Sequence, residues 1–312
     1  MIRTSHYLFA ALCLGSLFAC SRQFTDSYIV PKWCFAVFML FIVLAYEAVN
    51  ILFYRQNEQK DTRISVYGFI IVISCFLQAM FGVVQFFGFF QISTTLWVTG
   101  SFDNPAGFAA CLCAGFPFVG FLLSDSNKYI RYVGGLIGFV IVIAVILSQS
   151  RAGIMSIAFI CFILLNMKFF HKRWVKYLSL LCFALLLSGC YWMKKDSADG
   201  RLLIWRCSVS MVKDAPWLGH GIGSFEARYM DYQADYFRQY GLNRYSMLAD
   251  NVKHPFNEYL GVLLNFGFVG LLMILALITL LIYCYKKHPC AEKRIAFYSL
   301  ISIGVFSFFS YT

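Results

Sequence analysis

Apolar residues along this chain gather into long runs separated by short polar connectors. Nine runs stand out, at approximately 6–20, 33–54, 64–90, 106–123, 131–147, 152–170, 177–193, 257–285 and 295–311. About 20 predominantly apolar residues cross the hydrocarbon of a bilayer as a helix. Lipid offers the backbone no hydrogen-bonding partner, so helix is the element each run predicts. Between the seventh and eighth runs lies the one long polar stretch, the 62 residues from Lys194 to Pro255. The expectation is an all-α integral membrane protein of about nine transmembrane helices with one large outer loop containing short helices. Its parts are N-terminal transmembrane helices (1–193), the large loop (194–256) and C-terminal transmembrane helices (257–312). The last run reaches Thr312 without a polar flank, so a truncated chain with further spans beyond it is the expectation.

Composition agrees with the pattern. Apolar residues make up 60% of the 312 and charged residues 13%, against about a quarter charged in soluble domains. That excludes an ordinary water-soluble enzyme, and equally a disordered chain, which would be rich in charge. The net charge of +11 would suggest nucleic acid in a soluble protein. Here the basic residues sit mainly between apolar runs, so no nucleic acid is expected. Of 26 Lys and Arg, 14 fall at Arg3 and in connectors 55–63, 124–131, 168–176 and 286–294. The alternate short connectors hold Arg22, Lys32 and Arg151, and the long loop holds the other nine. Basic residues favour the cytoplasmic side. The N-terminus is therefore expected in the cytoplasm of a multi-pass inner-membrane protein, with the large loop in the periplasm.

The first run has two readings. Arg3, an apolar stretch and LFAC ending at Cys20 resemble a lipoprotein signal peptide. An uncleaved span is favoured, because a small residue is expected where Phe18 stands. Most of the twelve cysteines lie inside apolar runs, where cysteine acts as a small hydrophobe. Cys207 is in the large loop, and a disulfide to Cys190 is a minor alternative.

Candidate chemistry concentrates on the outer face. Within the spans, Glu47 is a lone acid near a helix end, read as a snorkelling or paired carboxylate and thin support for a transporter. In GSFDNPAG (100–107), Asn104 suits a helix N-cap and Pro105 the first helical position. SQSRAG (148–153) is a short outer turn. Its Arg151 either snorkels to headgroups or clamps a phosphate in a bidentate fork. The large loop opens with Arg201, Trp205 and Arg206, readable as an interfacial helix with a tryptophan anchor. It continues through APWLGHGIGSF (215–225), whose Gly219, Gly221 and Gly223 suggest a turn presenting N–H groups to a phosphate. Tyr229, Tyr232, Tyr236 and Tyr240 share one helix face. That face either packs on the membrane surface or stacks on sugar rings, with Arg228–Asp231 and Asp235–Arg238 pairs beside it. In KHPFNEYLGVLLNFGFVG (253–270), His254 and Glu258 stand where the chain re-enters the membrane. No HExxH, CxxC pair or DxD occurs, so no metal site is expected from motifs.

In this order the motifs resemble the O-antigen ligase and O-antigen polymerase superfamily. That family's pattern is a Gly-x-Phe-x-Asn-Pro turn, a Ser-Arg-Gly/Ala turn and an Arg-x-x-x-Trp segment. A Pro-x-x-Gly-x-Gly-x-x-Phe segment and a His/Asn-x-Tyr-Leu segment ending in Gly-x-x-Gly complete it. The likeness covers roughly residues 64–285. The resemblance implies a metal-independent, inverting glycosyltransferase without cofactor. The donor would be a glycan on undecaprenyl diphosphate and the acceptor a hydroxyl of lipid A-core or similar, as in lipopolysaccharide biosynthesis. It gives Arg151 and Arg201 to the leaving diphosphate and the base role to His254, which Glu258 would share. Many members carry histidine where this chain has Phe256; His254 fits the His-Pro form found in others. Asn104, Arg206, Gly219, Gly221, Gly223, Asn257 and Tyr259 complete the expected substrate-binding set. Polymerase and protein O-oligosaccharyltransferase activities share these motifs. A polysaccharide flippase and an inactive fragment stand as non-enzyme alternatives.

Overall fold

A computed structural model describes residues 4–21, 23, 29–53, 60–89, 98–168, 172–193, 195–287 and 289–310; the side chains of 51–53, 60–65, 168, 190 and 193 are not among those described. Among the described residues the chain is all-helical. The helices are α1 (Thr4–Phe18), α2 (Ile29–Phe53), α3 (Lys60–Phe86), α4 (Pro105–Gly115), α5 (Val119–Leu123), α6 (Lys128–Leu147) and α7 (Arg151–Lys168). They continue as α8 (Arg173–Met193), α9 (Lys195–Asp214), α10 (Ser224–Tyr240), α11 (Glu258–Lys287) and α12 (Ala291–Phe309). Over its described residues, each of the nine apolar runs is mainly helical. Among the described residues, five stretches are long and apolar enough to cross a membrane: Ile29–Asn50, Val66–Phe86, Pro105–Leu123, Lys128–Leu147 and Glu258–Lys287. They carry exposed Phe38, Phe41, Phe69, Leu136, Phe139, Leu272 and Met273, an apolar surface that water does not tolerate in such quantity. The polar stretch is more ordered than the expected loop of short helices. Two helices of 20 and 17 residues, α9 and α10, occupy most of it.

The chain divides into two compact units, Met1–Ile157 with Cys290–Ile303, and Ala158–Pro289 with Gly304–Thr312. In the first unit α3 is central. Its Val72, Cys75 and Ala79 are buried at helical spacing, and α1, α4 and α6 pack on it. Its two interior glutamines, Gln78 and Gln85, lie seven residues apart and therefore on one face. Gln85 accepts from the N–H of Thr99 (3.1 Å) and Gly100 (2.8 Å) and donates to Gly100 O (2.7 Å). Gln78 donates to Ser101 Oγ at 3.0 Å. Lys32, only 9% exposed, donates to the carbonyl and hydroxyl of Ser101 and lies 4.3 Å from the Phe102 ring centroid. The turn ahead of α4 is thus held by three buried polar side chains, which pair with its backbone and with Ser101. Serines join α12 to its neighbours: Ser156 donates to Ser302 O (2.6 Å) and Ser302 to Cys113 O (2.8 Å). Near the helix end, Tyr67 donates to Glu47 Oε1 at 3.2 Å.

In the second unit the apolar face of α9 (Leu203, Ile204, Cys207, Met211) clusters with Phe225 and Tyr229 of α10, with Tyr245 of the connector after α10, and with Leu264 of α11. The spacing of three and four along α9 aligns these side chains. Helix α9 stops at Asp214, ahead of Ala215 and Pro216; a residue before proline is disfavoured in the helical region. Helix α10 ends at Gly241, whose left-handed φ of 67° and N–H to Phe237 O (2.9 Å) close the last turn. The tyrosine face of α10 is largely spent inside the protein. Tyr229 is fully buried, Tyr232 donates to Asp214 Oδ2 at 2.6 Å, and Tyr236 packs on the same cluster. Tyr240 remains exposed. Cys207 is a free, buried thiol, and the side chain of Cys190 lies outside the described residues, as do Arg3, Arg22, Lys194 and Thr312.

Candidate functional site

Helix α9 carries Arg201 and Trp205 one turn apart, so both project from one face. Both meet the segment that precedes α11. The Trp205 Nε1–H donates to Pro255 O at 3.0 Å, and its ring packs edge-on against Phe308 at 5.8 Å. Arg201 donates to the carbonyl of Phe309, and its guanidinium lies 5.0 Å from the Phe256 ring centroid. Phe256 is held at φ 52°, a left-handed conformation that is uncommon and costly for a non-glycine residue. The Arg-x-x-x-Trp and His-Pro-Phe-Asn motifs, 50 residues apart in sequence, therefore form one corner. A planar cation fixed by a carbonyl and a ring face is preorganised to meet an anion.

The other expected residues divide sharply. His254 is exposed beside this corner, and Glu258 begins α11, where a carboxylate also favours the positive helix end. Asn257, expected to bind substrate, is 4% exposed and caps α11 by accepting from Leu260 N at 3.1 Å. Tyr259 is turned to α12, donating to Gly304 O at 2.9 Å. Asn104 caps α4, accepting from Gly107 N at 2.7 Å. These three have structural duties that account for their positions. Arg206 is exposed and bonded to Tyr236 OH at 3.3 Å, 5.2 Å from the Tyr245 ring centroid. Arg151 stands in the first unit at the first position of α7. The turn before it is sharp: Gln149 has φ 53°, and Ser150 Oγ accepts from Gly153 N at 3.3 Å.

The amides of Gly219 and Gly221, expected in a phosphate cradle, are bonded within the protein. Gly219 N bonds to Ala215 O (3.1 Å) and Gly221 N to Asn265 O (3.1 Å), while His220 N between them bonds to Leu264 O (2.7 Å). The amides of His220 and Gly221 join the loop to α11, while that of Gly219 closes a turn within the loop. The reason is Gly267, whose φ of 61° breaks α11 and opens backbone groups that the loop fills. Gly223, at φ 79°, is the N-cap of α10. His220 faces inward as well, with Nε2 2.7 Å from Met211 O and Nδ1 3.0 Å from Arg228 Nη1. Arg228 is thus engaged by His220, while Arg238 pairs with Asp235 at 2.8 Å as expected.

Sequence reasoning passed over Lys32, Gln78 and Gln85, and also the buried Asp199, which accepts from Tyr191 OH at 3.2 Å. A polar residue seven positions from another inside an apolar run is the signal that was there for the glutamines.

Several helices long and apolar enough to cross a membrane, together with the family match that follows, point to a multi-pass membrane protein. Residues 136–275 match the protein family described as O-antigen ligase, and the chain's resemblance to the O-antigen ligase and polymerase superfamily is thereby borne out. Arg151, Arg201, the glycine loop, His254 and Glu258 fall inside the matched range; Asn104 lies outside it. No curated protein and no solved structure matches the chain.

Proposed function

We propose that this protein is a glycosyltransferase of the ligase type. It moves a glycan from undecaprenyl diphosphate to an acceptor hydroxyl, of lipid A-core or a similar molecule, at the outer face of the inner membrane. The observation that carries the reading is Arg201. It is held by Phe309 and Phe256 at the corner where His254 stands, within the range that matches the family. In the reaction the acceptor oxygen attacks the anomeric carbon from the face opposite the diphosphate. The new C–O bond forms as the bond to the phosphate oxygen breaks, with inversion. The acceptor proton passes to His254, with Glu258 assisting, and undecaprenyl diphosphate leaves. Charge gathers on the leaving diphosphate, and a preorganised donor is worth most there, about 3–4 kcal/mol in comparable sites. For Arg151 the proposal rests on the resemblance and on its own position. At the start of α7 the guanidinium adds to the positive helix end, an arrangement that an anion relieves. The reading includes nine spans, a cytoplasmic N-terminus and a periplasmic α9–α10 region. It assigns charge stabilisation to arginine rather than to a metal, so chelator-treated membranes are expected to keep activity.

The test is the carrier-lipid and surface-glycan profile of a deletion strain, with the gene restored as control. Finished polymer left on the carrier, with a bare acceptor at the surface, is the expected result. Single repeat units left on the carrier would make the protein a polymerase instead. An unchanged profile would overturn the transferase reading.

A further inference from the structure

Helix α11 ends in Lys286 and Lys287. Counting back about 20 residues, the length that crosses the apolar layer, reaches Phe266. The break at Gly267 therefore falls at the opposite edge of that layer. A helix broken there leaves N–H and C=O groups where water is scarce, at a cost of several kcal/mol each unless they are paired. The segment Pro216–Gly221 pairs them. Phe268 N donates to Pro216 O (2.8 Å) and Val269 N to Trp217 O (3.2 Å). His220 N and Gly221 N donate to Leu264 O and Asn265 O in return. Both backbones are thus satisfied without water.

The side chains of the same loop do the opposite of what a solvated loop does. Trp217, Leu218 and Ile222 are 69%, 74% and 83% exposed. The Trp217 ring stands 6.1 Å from that of Phe268, and Phe266, Phe268 and Val269 are themselves exposed on α11. That surface continues down the spanning helix through Leu272, Met273, Leu275 and beyond.

We infer that the Trp217–Ile222 loop is a membrane-inserted anchor, its apolar side chains covered by phospholipid acyl chains at the headgroup boundary. Continuity with the lipid-facing surface of α11 names the occupant. A tryptophan at this depth is where its amphipathic ring is most stable. The anchor fixes the end of α9 to the membrane through Pro216. The inference rests on α11 as a span and is independent of the transfer chemistry.

Photoreactive benzoylphenylalanine is placed in turn at positions 218, 222, 242 and 247 of the full chain in native membranes. Leu242 and Met247 are as exposed as the loop residues, and no bond ties them to α11, so they serve as controls. After irradiation, phospholipid adducts are expected at 218 and 222, severalfold above 242 and 247. Equal adduct yields at all four sites, or adducts at 218 and 222 with protein or with the polyprenyl carrier in place of phospholipid, would overturn the inference. A second measurement needs no bulky side chain. Brominated phospholipids, labelled near the headgroup end, quench the native chain; Trp217→Phe is expected to lose part of the quenchable emission. An unchanged quenchable fraction would also count against the anchor.

Discussion

Gly219 and Gly267 each occupy the space that the other's segment requires. A Cβ on Gly219 would stand 2.6 Å from Leu264 O and from Phe266 N, and one on Gly267 would collide with the Trp217 carbonyl. Both residues also have left-handed backbones, at φ 69° and 61°. The two glycines of the sequence motifs are therefore two halves of one backbone-to-backbone junction.

That junction yields an ordered prediction. Gly219→Ala and Gly267→Ala combine a left-handed penalty of about 1–2 kcal/mol with overpacking of about 1–3 kcal/mol. Gly221 and Gly223 share the left-handed backbone but have open space around a Cβ, so their alanine variants carry only the first cost. Thermal unfolding of the four purified variants is expected to separate them into these two pairs. Four equal losses would remove the junction from the explanation.

Arg201→Ala should abolish glycan transfer while the chain still inserts, with a loss of about 100-fold or more. Arg201→Lys should recover little. Lysine lacks the planar fork that meets Phe309 and the flat cation that lies on Phe256. Trp205→Phe keeps an aromatic ring but loses the bond to Pro255 and part of the indole's packing, so a smaller loss than for Arg201→Ala is expected, about 1–3 kcal/mol. Transfer assays on membranes with equal protein content check the order Ala, Lys, Phe.

These comparisons show which features the sequence made legible. Helices follow from the long apolar runs, because in lipid the backbone has no other solution, and the nine runs are mainly helical over their described residues. The caps at Asn104 and Asn257 were readable as local chemistry, but only the first was read that way. Pairings across the chain were not readable. Nothing near Gly219 says that the amides of His220 and Gly221 meet α11, since backbone partners carry no side-chain signature. The tyrosine face was visible as a face, whereas what it packs on depends on how α9 lies beside it. Lys32 counted as one more basic connector residue, although burial beside Ser101 gives it a separate role.

Lys32 therefore has its own expected outcome. Lys32→Met removes the donor to the Ser101 carbonyl and leaves that acceptor in a buried place, while the hydroxyl keeps its bond from Gln78. An unmet buried acceptor costs about 1–3 kcal/mol, and the Phe102 contact is lost with the charge. Lower thermal stability and a lower inserted yield than for Lys128→Met are expected, because Lys128 is exposed. Equal behaviour of the two variants would deny Lys32 its part in the turn.

Cys207 offers a probe of the α9–α10 core. Burial pushes its thiol up from 9.0 to about 11, and the thiolate is the reactive form. At pH 8 a water-soluble maleimide is expected to leave Cys207 unmodified in the folded protein and to modify it after denaturation. Mass spectrometry of the peptide containing residue 207 reads the difference directly; rapid modification of the native protein would mean that the cluster opens.

The phenol of Tyr232 gives a pH dependence of definite sign. Its bond to the Asp214 carboxylate, then burial, raise its pKa from 10.0 to about 12. A group whose pKa is higher in the folded state holds its proton more tightly there. Its contribution is complete below pH 10 and declines as pH rises from about 10 to about 12. Ionisation would also set a phenolate against a carboxylate. The melting temperature of the native chain is therefore expected to fall more steeply over that interval than that of Tyr232→Phe. The variant begins lower at pH 8, having lost the bond already, and its curve approaches the native one at the alkaline end. Parallel curves through pH 12 would show that the pair adds nothing to the junction of α9 with α10.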